Sequence, residues 1–266
     1  MPDFERPPVV ETALGVEFLS MPGWTPSHFA VFAREVQSEY PRVEIRDDVI
    51  SSTIERFGPE ARRPPEFRAE LLSHMPMRWW YVDDARGRLL QLQTDRFVHN
   101  WRKPSPEAAY PRYPETRTMF KSAWERFLAF LSAQGLDSPT VVQCQVDYIN
   151  HLEKGDGWQS PADMSNVSRL LGAVQGDFLP TPDVLLLAAR YVIPPEQGRL
   201  HVTLQPALRN VDQVEILQLS LTARGRPASS TTDDILKWLD TGHEWVVRGF
   251  VDVTTPAMHQ RWRRTR

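Results

Sequence analysis

Amide and charged side chains recur along two predicted strands, and their chemistry is that of hydrogen-bonded recognition. Residues 87–102, GRLLQLQTDRFVHNWR, alternate Leu90 and Leu92 with Gln91 and Gln93 and then continue into a polar end. Because successive side chains of a strand point to opposite faces, the glutamines share one face of the predicted sheet. We define the polar face by the residues that we predict to bind a partner, namely Gln91, Gln93, Arg96, Asn100, Trp101, Arg102, Gln143, Gln145 and Asp147.

Two interpretations of the polar face are open at the level of sequence. A one-sided antiparallel sheet normally turns a polar face to solvent, and the glutamines would then be ordinary solvated residues. Exposed strand faces often use lysine, glutamate and threonine, whereas amides both donate and accept hydrogen bonds. A twisted sheet lined in this way is suited to an extended peptide or another subunit. The first hypothesis is therefore a non-enzymatic binding or assembly protein that holds a protein or peptide partner, or another copy of itself.

The usual signatures of catalysis and metal binding have little support in this sequence. It contains neither GxGxxG nor GxxxxGK[ST], so no glycine-rich phosphate loop is expected. The seven histidines are scattered, and Val247 stands where the second histidine of an HExxH motif beginning at His243 would lie. Cys144 falls on the apolar face of a predicted strand, where a thiol normally behaves as an inert small hydrophobe. We expect no cofactor, no metal and no catalytic residue.

A second hypothesis, from a different class, is an enzyme or small-molecule sensor with a pocket between sheet and helix. Asp147, Arg96, His99 and Tyr148 are the polar groups that such a pocket would use. This hypothesis requires a discrete cavity with convergent side chains and at least one carboxylate or histidine whose pKa is strongly perturbed.

Composition and charge narrow the classes of partner. The chain has 266 residues, of which 41% are hydrophobic and 24% charged, with a formal net charge of -3. Four arginines within residues 261–266 give an acidic protein only a weak contact for nucleic acid, so nucleic-acid binding is not expected. The most apolar stretch, 184–193, is about half as long as a membrane-spanning helix, and no membrane partner is expected. The single cysteine favours a reducing compartment, so we expect a cytoplasmic protein.

Hydrophobic periodicity predicts the elements that position these residues. The predicted strands of the N-terminal half cover residues 9–19, 42–50, 79–82, 88–98 and 140–152. Its predicted helices cover residues 28–39, with Ser27 as N-cap, 66–73, and 115–134, closed by Gly135. In the C-terminal half, strands over 183–193, 198–208 and 214–224 precede a long helix that starts from a cap at 229–234.

Short connections between successive strands favour antiparallel pairing, and the long helices must cover one face of the resulting sheet. The predicted fold class is α+β, with a twisted antiparallel sheet gripping long amphipathic helices. Both halves, 1–153 with the QLQTDRFVHNWR hairpin and 154–266 with the three-strand meander, run from strands into one long helix. They form either two similar modules or one continuous domain.

Five segments spread over the chain share their residues with one known family. They are residues 8–11 (PVVE), 91–102 (QLQTDRFVHNWR), 110–114 (YPRYP), 148–150 (YIN) and 250–262 (FVDVTTPAMHQRW). Through them the whole chain resembles a sporadically distributed bacterial family that has no assigned activity. Usual members of that family carry Asn-Arg-Ile after the tyrosine strand, whereas Asn150 is followed here by His151 and Leu152. A ligand contact made by that arginine would have no counterpart in this chain.

Overall fold

The computed structural model describes residues 1–47, 54–57, 77–172, 178–209 and 211–266. Within these ranges, nine strands form one antiparallel sheet with the order β2-β3-β4-β5-β1-β6-β9-β8-β7. The strands are β1 (Val9–Phe18), β2 (Arg42–Asp47), β3 (Met77–Val82), β4 (Arg88–Leu92), β5 (Arg96–Arg102), β6 (Val141–Glu153), β7 (Leu187–Ile193), β8 (Gly198–Leu208) and β9 (Glu215–Gly225). The open antiparallel sheet with its helices confirms the predicted α+β class.

The helices of the described ranges are α1 (Pro26–Val36), α2 (Arg112–Ala133), α3 (Met164–Val167), α4 (Thr232–Val253) and α5 (Pro256–Arg261). The long helices contact the sheet: α1 lies against β3, α2 against β5 and β1, and α4 against β6, β9 and β8. None of the helices in the described ranges combines the length and the apolarity needed to cross a membrane.

The two halves of the sequence share one sheet. Strand β6 pairs with β1 on one side and with β9 on the other, so that Tyr148 lies between Thr12 and Leu221. Helices α2 and α4 also contact each other across the middle of the sheet. Residues 1–153 and 154–266 therefore contribute adjacent strands to a continuous β-sheet, each half with its own long helix.

Aromatic packing fixes α1 and α2 on the N-terminal strands. The ring of Phe97 in β5 lies 5.4 Å from Trp124 and 5.2 Å from Phe127 of α2, and Phe32 of α1 lies 5.5 Å from Phe127. All four side chains are fully buried. Burial of each such ring stabilises the fold by about 1.5–3 kcal/mol, so this cluster is a major reason why both helices cover the same face.

Two local predictions need correction. Helix α1 begins after Thr25 rather than Ser27, because Pro26 suits the first helical position and the Thr25 amide donates to His28 Nδ1 at 3.0 Å. The predicted strand 88–98 is divided into β4 and β5 by a tight turn, in which the amide of Gln93 donates to the carbonyl of Arg96 at 2.9 Å. The alternating apolar residues on both sides concealed this turn, since a two-residue turn hardly interrupts a period of two.

The other predicted boundaries in the described ranges lie within a few residues of the observed ones. Helix α2 ends as expected, because Gly135 adopts a φ of +71° just beyond it. Strand β7 begins at Leu187, four residues later than predicted from 183. The predicted helix 66–73 and the last residues of the predicted strand 42–50 lie outside the described residues.

Candidate functional site

A cavity of about 540 Å³ lies on the helix-covered side of the sheet, between α4, the approach to α2 and the central strands. A volume of this size is typical of sites for small organic ligands. Most of its wall is apolar, with Val9, Leu221, Val246 and Phe250 among the lining residues. The hydrogen-bonding groups of its wall include Tyr110, Tyr148, Asn150 and His243.

The sequence brings these polar groups to the cavity through two regular elements. Tyr148 belongs to the alternating set of β6 residues that face the helices. His243, Val246 and Phe250 follow the helical spacing of three and seven residues along α4, so they share one face of that helix. The cavity is therefore lined on two sides by a strand and a helix whose side-chain directions are set by their own periodicity.

Tyr110, Tyr148 and His243 form a continuous hydrogen-bonded chain, which we call the tyrosine–histidine relay. The hydroxyls of Tyr110 and Tyr148 lie 2.6 Å apart, and the Tyr148 hydroxyl lies 3.0 Å from His243 Nδ1. The His243 ring stacks on Tyr113, with ring centroids 3.7 Å apart and planes 4° from parallel. These contacts hold the imidazole in a fixed orientation beside the cavity.

The groups of the relay are uncharged at neutral pH. Burial lowers the pKa of His243 to about 4, although the charge of Asp240 acts in the opposite direction. Burial also raises the pKa of Tyr110 to about 12 and that of Tyr148 well above its usual range. The relay therefore offers neutral hydrogen-bonding groups, and neither an imidazolium nor a phenolate.

Protons can be arranged along the relay in two ways. In the first arrangement, the Tyr110 hydroxyl donates to Tyr148, and the Tyr148 hydroxyl donates to Nδ1 of His243. In the second, Nδ1 of His243 carries a proton and donates to the Tyr148 hydroxyl, which donates to the Tyr110 hydroxyl. The Tyr110 end then presents an acceptor in the first arrangement and a donor in the second. Such a chain can match a ligand of either hydrogen-bonding type.

Asp240 binds two residues of α2, Tyr113 and Arg117, behind the relay. Its Oδ1 accepts a hydrogen bond from the Tyr113 hydroxyl at 2.8 Å and from Arg117 Nε at 2.7 Å, and Oδ2 accepts from Arg117 Nη2 at 2.9 Å. The two-pronged ion pair joins α2 to α4. It thereby positions Tyr113, on which the His243 ring lies.

Residues 1–7 close one side of the cavity. Phe4 is buried and packs edge-on to Phe250, with ring centroids 5.5 Å apart. Arg112 donates to Asp3 Oδ1 at 2.6 Å and to the carbonyl of Phe4 at 2.9 Å. The arginine at this rim is thus matched by an acidic side chain.

On the opposite side of the sheet, the predicted polar face forms hydrogen bonds within the chain. Gln91 Nε2 donates to Asn100 Oδ1 at 2.6 Å, and Asn100 Nδ2 donates to Glu11 Oε1 at 2.5 Å. Arg102 Nε lies 3.1 Å from Glu11 Oε2. The indole of Trp80 donates to Gln91 Oε1 at 3.0 Å and lies under the Arg102 guanidinium. Gln91, Asn100 and Arg102 therefore belong to one network.

Arg96 and Gln143 meet at a buried carboxylate. Gln143 Nε2 donates to Glu17 Oε1 at 3.1 Å, and Arg96 Nη2 lies 3.4 Å from the same oxygen. All three residues are at most 9% exposed. An ion pair so deeply buried needs such additional hydrogen bonds to offset its loss of hydration.

Gln145 and Asp147 form a third group with strand β9. Arg224 Nε donates to Gln145 Oε1 at 2.8 Å, Thr222 donates to Asp147 Oδ1 at 2.6 Å, and the amide of Gln145 donates to Asp147 Oδ2. Burial raises the pKa of Asp147, and the hydrogen bonds from Thr222 and Gln145 offset only part of that rise.

The remaining two predicted residues lie apart from these networks. Gln93 is buried, and Trp101 lies on the opposite, helix-covered face, where its ring is 5.3 Å from that of Tyr110. Trp101 does not lie on the polar face, because successive side chains of a strand alternate between the two faces and its neighbours Asn100 and Arg102 occupy the polar one. The solvated interpretation also does not hold for Gln93, Asn100 and Gln143, each of which is at most 3% exposed.

Of the four residues that the pocket hypothesis named, one lines the cavity. Tyr148 is there, whereas Arg96 and Asp147 lie on the polar face and His99 is hydrogen-bonded to the Tyr40 hydroxyl at 3.2 Å. Sequence reasoning missed His243. The available signal was a histidine at helical spacing from Val246 and Phe250, on the apolar stripe of α4.

A search for metal-binding groups and comparisons with known proteins give no further information on the function of this site. Within the described ranges, no group of three or more His, Cys, Asp and Glu side chains is arranged to hold a metal ion. Comparisons of the chain with protein families, curated proteins and solved structures gave no match. The functional argument therefore depends on the geometry of the chain itself.

Proposed function

We propose that this protein binds a small, mostly apolar molecule in the cavity between β6 and α4. The observation that carries the proposal is the relay of Tyr110, Tyr148 and His243, which lines a cavity of about 540 Å³ whose wall is otherwise mainly apolar. Hydrogen-bonding groups placed in an apolar wall orient a ligand and select it by its polar atoms.

The charge balance of the site favours an uncharged ligand head, such as an alcohol, phenol or amide. The relay is neutral at pH 7. Two charged groups of the cavity wall are engaged in ion pairs, Arg112 with Asp3 and Asp240 with Arg117, and Arg266 also lines the cavity. An ionic head group placed against the relay would lose its hydration without gaining an opposite charge there, which costs several kcal/mol. A head that donates or accepts one hydrogen bond meets the Tyr110 end of the relay.

Ligand recognition, as in a sensor or carrier, is the role that this chemistry supports. The relay supplies hydrogen bonds and a neutral imidazole, but no ionised nucleophile. Partner binding through the polar face, a homo-oligomeric state, a cytoplasmic location and membership of the bacterial family remain predictions. The amides of the polar face engage other groups of the chain, which is why the cavity and not that face carries the main proposal.

The test is native mass spectrometry of the gently purified protein, followed by a fragment screen for molecules that bind it. Tyr148→Phe keeps the ring and removes the central hydroxyl of the relay, so we expect affinity for a bound molecule to fall about tenfold or more. Tyr40→Phe is the matched control, because it removes another buried hydroxyl bonded to a histidine, His99, outside the cavity. Equal affinities for the two variants, or no bound molecule in either experiment, would refute the proposal.

A further inference from the structure

A short segment of the chain, residues 54–57, lies against the polar side of the C-terminal strands. The Glu55 carboxylate bonds to two residues of β8: Oε2 accepts from Arg199 Nη1 at 2.5 Å, and Oε1 lies 2.5 Å from His201 Nε2. The Glu55 amide donates to Gln143 Oε1 at 3.0 Å. The side chain of Glu55 is 9% exposed, so this is a buried contact and not a chance surface pair.

Arg199 contacts three successive residues of this segment by three different means. One nitrogen binds the Glu55 carboxylate, and Nη2 donates to the carbonyl of Arg56 at 2.6 Å. The guanidinium carbon lies 4.2 Å from the centre of the Phe57 ring. A guanidinium suits such combined recognition, because it is planar, carries several donors and stacks on aromatic rings. Arg199 thus contacts the carboxylate of Glu55, the backbone carbonyl of Arg56 and the aromatic ring of Phe57.

The contacts with Arg199 and His201 favour the ionised form of the Glu55 carboxylate. Burial alone would raise the pKa of Glu55, but the hydrogen bonds from His201 and Arg199 outweigh it and hold the pKa below its usual range. The carboxylate is therefore ionised in the folded protein, and its charge-assisted hydrogen bonds are of the strong kind.

We propose that Gln143, Arg199 and His201 form a binding site for an extended peptide of the pattern Glu-Xaa-Phe, which residues 54–57 occupy within the same chain. A partner protein that carries this pattern binds there when the internal segment leaves. The site lies on the other side of the sheet from the cavity, so the test of each proposal is independent of the other.

The experiment is a fluorescence anisotropy titration with a labelled peptide of residues 52–59, Ser-Thr-Ile-Glu-Arg-Phe-Gly-Pro. Glu55→Ala removes the anchor of the internal segment, which otherwise competes at an effective concentration on the order of millimolar. We expect this variant to bind the peptide about tenfold or more tighter than the wild type does. Glu44→Ala is the matched control, because it removes a carboxylate that pairs with Arg46 and Arg86 elsewhere on the polar side.

Two further arms test the chemistry of the contact. A peptide with glutamine in place of glutamate, and the double variant Glu55→Ala/Arg199→Ala, are each expected to lose about tenfold or more in affinity. The proposal is overturned if Glu55→Ala binds the peptide no tighter than Glu44→Ala, or if the glutamine peptide binds equally well. Should Glu55→Ala not fold, hydrogen exchange on the wild type decides: excess peptide must speed exchange of the Glu55 amide, and an unchanged rate overturns the proposal.

Discussion

His243 makes the stability of the fold sensitive to acid. Burial lowers the pKa of this imidazole from 6.5 to about 4 in the folded protein. Below pH 6.5 the unfolded chain takes up a proton at His243 while the folded chain does not. The stability that a neutral His243 allows is therefore present above its unfolded pKa and is lost as the pH falls towards the folded pKa.

The size of this loss follows from the difference between the two pKa values. One pKa unit corresponds to about 1.4 kcal/mol, so this histidine lowers the free energy of unfolding by about 2 kcal/mol between pH 7 and pH 5, and by about 3 kcal/mol at pH 4. Such a change is a large part of the stability of an ordinary domain. His99, whose pKa is also lowered by burial to about 4, adds a separate loss of the same sign.

Urea unfolding at pH 7 and pH 5 measures the effect, with His243→Gln as the variant. Glutamine can still hydrogen-bond to Tyr148 but does not titrate, so the variant should lose about 2 kcal/mol less than the wild type over this interval. An NMR titration of the His243 ring in the folded protein provides an independent measurement. Equal losses for wild type and variant, or a ring signal that titrates near pH 6.5, would refute the reasoning.

Two other predictions concern stability. Tyr148→Phe leaves His243 without its hydroxyl partner and should lower the free energy of unfolding by about 1–3 kcal/mol in urea denaturation; a value near zero would contradict a structural role for the relay. Gly225→Ala would place a Cβ against the backbone carbonyl of Gln197 and 2.7 Å from the Trp238 ring, and it should cost about 3 kcal/mol or more by the same measurement. The control is Gly172→Ala, where no described atom lies within 4 Å of the added Cβ, and an equal cost at both sites would show that close packing is not the cause.

Much of the fold could be predicted because the signals are local. Helix α4 begins where Thr231 caps it, with the Thr231 hydroxyl accepting from the Asp234 amide at 3.3 Å, inside the predicted cap at 229–234. Strands β6, β8 and β9 start within one residue of their predicted positions, since their apolar residues alternate over their whole length. Helix α5 was not predicted, because six residues are too few for a clear helical period.

The candidate site was less accessible to prediction. Tyr148 lies 38 residues from Tyr110 and 95 residues from His243, so the relay depends on the pairing of β6 and on the placement of α4 upon it. The contact of Glu55 with His201 joins residues 146 positions apart. No local pattern marks such pairs. Residues of the polar face were recognised by type, but their burial and their partners follow from neighbouring strands.

The sequence by itself determined the α+β class, the long amphipathic helices and the alternation that separates a polar from an apolar side of each strand. These features depend on interactions between residues a few positions apart, which periodicity records directly. The tertiary structure alone decided that both halves form one sheet and that a cavity remains beside His243. Register and packing between distant segments set these properties, because a shift of one residue moves every side chain of a strand to the other face.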